Sequence, residues 1–328
     1  MVLLKRISIY LGRLKDFSGI CEELSKNYRL PTVFFILDAL MCRMVHGSSP
    51  EQYFDFAMYR MNHRERKQYM TNRRAVRLTN LLNGSKKNED VLDKCSFNRN
   101  YAAYIHREWM YGPEHTDEEI LGMLSRHEAV VTKYPLQNKG EGIQKKQSAA
   151  VLEAPADFLR EVREEKLLIE ECIRQHPVLE RLNPSSVNTI RLCTVRDRTG
   201  DPHLFAASLR VGGKDQFVDN LHANGVQYPI DIEKGFVSGG GASYDGKRNI
   251  CFHPSTNVQV IGLMIPHWKE IVAAILEAAH IPASTRYIGW DVAVTEEGFE
   301  LIEANDRQGS NGMQLDGVGK YPIIRQYI

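Results

Sequence analysis

The sequence lacks several patterns that define large classes of protein. Its six cysteines are scattered and none forms a Cys-x-x-Cys pair, so neither a zinc site nor a disulfide framework is expected. The 42 basic and 41 acidic residues nearly cancel, so we expect no general attraction to nucleic acid. There is no Gly-Lys-Ser/Thr phosphate loop and no Gly-x-Ser-x-Gly elbow, which argues against a Walker-type nucleotide site and a serine nucleophile.

Long apolar runs are also missing. The segment Thr32–Val45 is apolar but contains Asp38 and Arg43, and it falls short of the roughly 20 residues that a membrane-spanning helix needs. We therefore predict a buried helix there. No secretory signal is expected, and the unpaired thiols favour a cytoplasmic location. Four basic residues interrupt the apolar residues at the N-terminus: Lys5, Arg6, Arg13 and Lys15.

What the sequence does contain is a β-hairpin pattern near its C-terminal end. Strand-like runs flank residues 296–298, which suit a three-residue loop whose glycine adopts the left-handed conformation. The resulting register pairs Thr295 with Phe299 and therefore sets Asp291 opposite Glu303.

Asn305 lies two residues beyond Glu303 and so points to the same face of the strand. Two carboxylates and an amide then converge on one spot. Ligands that offer only oxygen suit Mg²⁺, which proteins usually bind through one or two carboxylates together with substrate phosphates. The alternative interpretation is a hairpin with solvated acids.

The first part of the chain, residues 1–88, is predicted to be helical. Pro31 is a suitable helix start and Gly47 a suitable end, and a second helix is expected after Ser49-Pro50. A long helix is predicted from His63 to Leu82, ending at Asn83-Gly84.

The remainder, residues 89–328, mixes helices and strands, which predicts an α+β architecture. A capping-box pattern begins a helix at Asp117–Arg126, and further helices are expected at Ala156–Glu165 and after Pro266. Strands are expected at Ala129–Lys133, Leu167–Cys172, Val187–Val195 and Leu204–Val211.

The order of several short motifs resembles that of ATP-grasp enzymes. Asp93-Lys94 comes first, then Lys133 with the glycine loop 138–143, then the hinge 170–173, and finally the Asp…Glu-x-Asn hairpin. The segments Ser186–Arg191, Val218–Asn220 and His253-Pro254, and Asn305 followed by Gly309 and Gln314, resemble the sugar-transfer-associated ATP-grasp family more closely. The region 55–67 is similar to that family too, so the resemblance covers nearly the whole chain.

The resemblance implies an ATP-grasp fold for residues 89–328, in which two α+β subdomains, about 89–165 and 166–328, sandwich ATP, with an N-terminal helical cap. It implies ATP and Mg²⁺ as cofactors, with the metal on Asp291, Glu303 and Asn305. The implied nucleotide contacts are the phosphate-binding Lys94 and Lys133, the lid glycines Gly140 and Gly142, the hinge residues Glu170, Glu171, Cys172 and Ile173, and Ile302 under the adenine. Arg191 and Arg210 match arginines that hold the transferred phosphate and the acyl substrate, and they join Lys133 as catalytic residues.

Each of these residues also has a structural interpretation: solvated lysines, an ordinary glycine turn, or plain core for Ile302. The residue that holds the ribose is left open between Gln175, His176 and Glu180. His253 is interpreted as a turn or core histidine with a base as the alternative.

The implied activity is an ATP-dependent carboxylate–amine ligase that forms an acylphosphate. Its substrates would be small molecules, an amino acid and a sugar-linked partner, in polysaccharide or glycoconjugate biosynthesis. Two alternatives stay open: an ATP-grasp kinase that phosphorylates a hydroxyl, and a non-catalytic nucleotide-binding partner of a glycosyltransferase. The basic stretch 60–77 suggests either a solvated helix face or a contact with an anionic sugar carrier, a nucleotide sugar or a membrane surface.

Overall fold

A computed structural model describes residues 17–86, 88–137, 142–217, 225–243 and 246–328 of the chain. The described residues of the first part are mostly helical, as predicted, and residues 1–16 and 87 of that prediction lie outside the described residues. Residues 17–28 form α1. The helices that follow are α2 (Thr32–His46), α3 (Pro50–Asp55), α4 (His63–Arg66), α5 (Asn72–Asn83), α6 (Glu89–Leu92) and α7 (Lys94–Asn100), with 3₁₀ turns at Met58–Arg60 and Ala102–Tyr104.

The predicted single helix from His63 to Leu82 is wrong, because the chain leaves the helix between α4 and α5. The cause is a tertiary contact at Met70. The amide of Met70 donates to Oε1 of the buried Gln314 at 2.6 Å, and its carbonyl accepts from Nε2 of the same side chain at 3.2 Å. These bonds replace the helical ones, and α5 then ends before Gly84, as predicted.

The prediction that the α2 segment is a buried helix is also wrong. Phe35, Ala39, Cys42 and His46 point inward, a spacing that gives α2 one buried stripe. The segment contains more apolar residues than this stripe can hold. The remainder form an exposed surface, here called the α2 outer face: Val33, Phe34, Leu37, Leu40, Met41, Met44 and Val45.

A four-stranded antiparallel sheet follows, with strand order β1-β4-β2-β3. Its strands are β1 (Trp109–Tyr111), β2 (Ala129–Lys133), β3 (Gln144–Gln147) and β4 (Leu168–Glu171). The helices around it are α8 (Asp117–Arg126), α9 (Ser148–Glu153) and α10 (Pro155–Glu164), with a 3₁₀ turn at Gly112–Glu114. One face packs its apolar residues, such as Val130 and Ile169, against α8 and α10. The other face is left free to line a cavity.

A six-stranded antiparallel sheet has the order β10-β9-β5-β6-β7-β8. Its strands are β5 (Thr189–Arg196), β6 (Pro202–Val211), β7 (Val226–Pro229), β8 (Ala242–Ser243), β9 (Tyr287–Val294) and β10 (Phe299–Asn305). The helices are α11 (Pro177–Glu180), α12 (Trp268–Ala278) and α13 (Tyr321–Arg325), with a 3₁₀ turn at Gly312–Gln314. Ile190, Leu192 and Trp290 pack beneath α12 in the largest core.

The opposite face of this sheet is divided in two. Its lower half, which includes Cys193 and Val195, packs against Leu78 and Leu82 of α5. Its upper half carries Arg191 and the hairpin carboxylates. β5 therefore alternates, with Arg191 on the face of Cys193 and Val195.

The side chain of Asn83, at the end of α5, joins the helical region to both strands of the hairpin. Its amide nitrogen donates to the carbonyls of Tyr287 and Asp306, each at 2.7 Å. Its oxygen accepts from the amides of Arg286 and Tyr287 at 3.0 and 2.9 Å. A buried amide with all four of these bonds ties α5 firmly to the base of the hairpin.

Candidate active site

A cavity of about 720 Å³ lies between the free faces of the two sheets. Alternate residues of β2 line one wall, ending with Lys133, because successive strand residues point to opposite faces. Residues 170–175, from the end of β4 onward, form one side of the cavity. The larger sheet contributes charged and apolar groups to the opposite wall: Arg210, Asp291, Ile302 and Glu303.

The hairpin sets Asp291 opposite Glu303, as predicted, but by a different route. Phe299 pairs with Val294 and not with Thr295, so the predicted register at the tip is wrong by one residue. A β-bulge between Leu301 and Glu303 then shifts the pairing by one. The extra residue is Ile302, and both it and Glu303 line the cavity.

Two arginines of neighbouring strands bind Asp291. Arg191 is its cross-strand partner and holds it in a two-point ion pair, with Nη2 to Oδ2 at 2.7 Å. Arg210 Nη1 reaches the same Oδ2 at 2.9 Å. Burial alone would raise the pKa of Asp291, but the two guanidinium groups outweigh it and hold this pKa below its ordinary value.

Glu303 shares a hydrogen bond with the carboxyl group of Asp291, and Asn305 Nδ2 donates to Glu303 Oε1 at 3.2 Å. Burial raises the pKa of Glu303, and the negative charge of Asp291 adds to the increase. Two carboxyl groups this close offer only oxygen atoms, so their donor chemistry fits Mg²⁺. Among the described residues, no cluster of three or more His, Cys, Asp or Glu side chains is arranged to hold a metal ion.

Lys133 ends β2 with its ammonium group ion-paired to Glu170 across the sheet. Glu170 also accepts from Arg107 Nη2 and from Asn98 Nδ2, each at 3.0 Å. Burial would raise the pKa of Glu170, but Arg107 and Lys133 together lower it strongly, so this carboxylate stays charged. Arg107 also binds Glu300 of β10 at 3.2 Å and thereby connects the two sheets.

The other hinge residues lie where β4 ends. The amide of Glu171 donates to the carbonyl of Glu108 at 2.8 Å, which closes the ladder. Cys172 and Ile173 follow outside the strand and line the cavity. Ile302 lines the same cavity.

Lys94 does not line this cavity, and of the glycine loop only residues 142 and 143 are described, of which Ile143 lines it. The buried ammonium group of Lys94 donates to the carbonyls of Tyr134 and Gln137, in the turn after β2. Burial lowers the pKa of Lys94. Gly142 has φ +71°, and a Cβ there would lie 2.5 Å from the Tyr134 ring, so both conformation and space require glycine. Gly140 lies outside the described residues.

Of the three ribose candidates, Glu180 is exposed and lines the cavity. Gln175 also lines it, but its amide is bound to Ser186, Asn183 and Asn188. The ring of His176 accepts from the amide of Val178 at the start of α11.

His253, which belongs to one of the family-like segments, is not among the residues that line this cavity. His253 is buried, with Nε2 3.0 Å from the carbonyl of Gly212, which agrees with its interpretation as a core histidine. Asp219 and Asn220 lie outside the described residues.

Arg107 and Asn98 were not predicted from the sequence. Neither belongs to a motif, and Asn98 sits inside a short helix with no periodic apolar pattern to mark its direction. A basic residue beside an acid, as in Arg107-Glu108, is too common a pattern to predict a buried ion pair.

A family model described as sugar-transfer associated ATP-grasp matches residues 158–325, slightly more than half of the chain. The matched region contains the hinge, both arginines and the complete hairpin. Lys94, Lys133 and the glycine loop precede it. A comparison with curated proteins finds no match.

Three solved structures illustrate the similarity. The ADP complex of N5-carboxyaminoimidazole ribonucleotide synthetase is 9% identical, with 68% of this chain and 46% of that chain covered and a TM-score of 0.44. Biotin carboxylase from Campylobacter jejuni is 12% identical, with 73% of this chain and 45% of that chain covered and a TM-score of 0.48. D-alanyl-alanine synthetase A from Vibrio cholerae is 15% identical, with 68% of this chain and 57% of that chain covered and a TM-score of 0.40. The chain thus spans about half the length of these proteins. By its family match, it belongs to the sugar-transfer associated ATP-grasp family and has the α+β fold of that name.

Proposed function

We propose that the protein is an ATP-dependent carboxylate–amine ligase that acts through an acylphosphate. The observation that carries the proposal is the shared cavity lined by Lys133, the residues after β4, Arg210 and the carboxyl pair Asp291–Glu303. This cavity brings together basic side chains that can bind phosphate, backbone groups that can bind a nucleotide base, and carboxyl oxygens that can bind a metal ion. Family membership supports ATP as the nucleotide.

Each group of residues in the cavity would bind a different part of the nucleotide and its metal ion. The backbone at 172–173 and the side chain of Ile302 would hold the adenine between them, and Lys133 would bind phosphate. Asp291 and Glu303, with Asn305 beside them, would hold Mg²⁺. When bound, that ion neutralises phosphate charge and orients the phosphorus for in-line attack.

Arg191 and Arg210 would bind the anionic groups that react. A guanidinium fork suits both carboxylate and phosphate. The substrate carboxylate attacks the terminal phosphorus of ATP, the bond to ADP breaks, and an acylphosphate forms. The amine nitrogen then attacks the acyl carbon, phosphate leaves, and the nitrogen loses a proton. The enzyme contributes chiefly position and preorganised charge.

For the substrates we propose an amino acid and a sugar-containing molecule, used in polysaccharide or glycoconjugate biosynthesis. The support for this class is the family to which the chain belongs.

The test is a screen of paired acids and amines with ATP and Mg²⁺, read by mass spectrometry. We expect ADP and phosphate only when acid and amine are both present. Asp291→Asn and Glu303→Gln should each lower kcat/KM by about 100-fold or more. Glu297→Gln, an exposed acid at the hairpin tip, is the matched control and should retain activity.

Two results would overturn the proposal. A stable phosphoester formed from one acceptor would identify a kinase. Nucleotide binding without turnover on any pair, and with no effect of Asp291→Asn, would identify a binding module.

A further inference from the structure

The α2 outer face is a large apolar surface that nothing in the described part of the chain covers. Its seven side chains are each 46% to 62% exposed. They recur at the spacing of one helix face, from Val33 through Leu37 and Leu40 to Met44. Scattered exposed apolar residues are normal on a protein surface, but a contiguous stripe of this kind marks an interaction site.

The helix cannot turn this stripe inward, because its other side is fixed. Asp38 accepts two hydrogen bonds from Arg66, at 2.7 and 2.6 Å, and one from the hydroxyl of Tyr53 at 2.8 Å. Cys42 is fully buried one turn later. The exposed orientation of the stripe is thus part of the fold.

The exposed charged residues of α2 and α5 are positive. Asp38 is the only acid of α2, and it is neutralised by Arg66. Arg43 is exposed on the helix, and Arg73 is exposed where its guanidinium caps the last carbonyls of α2. Arg77 is exposed one turn further along α5 and so continues the basic edge.

We propose that the α2 outer face lies in the surface of an anionic lipid membrane, with Arg43, Arg73 and Arg77 on the headgroups. An apolar stripe edged by arginines is the pattern of a helix that lies in the interface plane. In the described residues, no helix is long and apolar enough to cross a bilayer.

The basic stretch 60–77 contributes only part of its charge to this surface. Arg66 is held by Asp38, and Arg74 donates to the carbonyls of Arg66 and Tyr69. Arg60 donates to the hydroxyl of Tyr28. The apolar stripe and the exposed arginines beside it, and not the stretch as a whole, therefore define the membrane surface.

The test is flotation of the full-length protein with vesicles of phosphatidylcholine alone or mixed with phosphatidylglycerol. We expect binding to the mixed vesicles and a partition weaker by about tenfold or more for the double variant Leu37→Glu/Met41→Glu. Arg43→Gln and Arg77→Gln should each weaken binding by about fivefold at low salt. High salt should reduce binding of the unaltered protein.

The matched control replaces two exposed apolar residues elsewhere on the surface. This double variant, Met264→Glu/Val318→Glu, should bind as the unaltered protein does. Circular dichroism and melting temperature establish that all variants fold. Absence of vesicle binding by the unaltered protein, or equal binding by the α2 variant, would overturn the proposal. A dimer in light scattering that Leu37→Glu/Met41→Glu dissociates would assign the face to a second copy instead.

Discussion

At the scale of single residues, the site depends on buried charges that neutralise one another. Glu170 and Arg107 are almost fully enclosed, with side chains 3% and 2% exposed, and Lys133 completes the group. A buried ion pair is not by itself a large source of stability, but removing one partner leaves an uncompensated charge.

Glu170→Gln should therefore destabilise the protein by about 3–5 kcal/mol, measured by urea unfolding. Glu161→Gln is the control, because its pair with Lys146 is half-exposed and such pairs contribute about 0–1 kcal/mol. If the two variants were equally stable, the buried network would not have the role assigned to it.

His46 should make the stability depend on pH. Burial, aided by the neighbouring Arg74, lowers the pKa of His46 to about 4. Because the unfolded chain binds this proton near pH 6.5, the contribution is complete above that pH and is lost as the pH falls towards 4.

We expect the loss to reach about 1.4 kcal/mol at about pH 5.5. Urea unfolding from about pH 7 to about pH 5 should show a smaller decrease for His46→Gln than for the unaltered protein. His280→Gln, at an exposed histidine, should leave the decrease as it is. Parallel curves for all three proteins would exclude His46 as the cause.

At the scale of elements, Gln314 determines where the helices of the N-terminal region break. Its side chain binds both backbone groups of Met70, the carbonyl of Ser310 and the amide of Lys320. Gln314→Leu would leave these buried groups unpaired, and each such group costs about 1–3 kcal/mol.

We therefore expect Gln314→Leu to lower the free energy of unfolding by about 3 kcal/mol or more. Gln326→Leu, at an exposed glutamine near the same end of the chain, should change it little. The measurement is chemical denaturation of both variants. A small effect of Gln314→Leu would mean that the break between α4 and α5 has another cause.

The elements that the sequence predicts well are those set by local chemistry. The capping box at Thr116 begins α8 at the predicted residue, and a short apolar run that ends in Lys133 gives the predicted bounds of β2. Features set by distant contacts were not predictable: the break at Met70, the bulge at Ile302 and the role of Arg107. The prediction that Asp291 lies opposite Glu303 was correct because the bulge compensates for the error in the predicted register at the hairpin tip.

At the scale of the whole molecule, ligand binding and folding should be coupled. The cavity draws its walls from both sheets, so a ligand that binds there stabilises the folded state and not the unfolded chain. At about 100 times Kd, ATP with Mg²⁺ should add about 2.7 kcal/mol.

Thermal melting measures this stabilisation as an increase in Tm, and a chelator should remove the part of the increase that depends on the metal. Asp291→Asn should lose that part as well, whereas Glu297→Gln should keep it. An increase in Tm that neither the chelator nor Asp291→Asn reduces would mean that the nucleotide binds without the predicted metal.

The amide of Asn83 has a consequence for how the chain can be divided. A fragment that starts at residue 89, the predicted beginning of the catalytic domain, would lack this side chain. Four backbone groups at the base of the hairpin would then have no protein hydrogen-bond partner in its place. It would also strip the apolar cover from Cys193 and Val195. The N-terminal helices thus support the hairpin that carries the two carboxylates. We expect a fragment truncated at residue 89 to be poorly soluble, so its loss of activity would not report on catalysis.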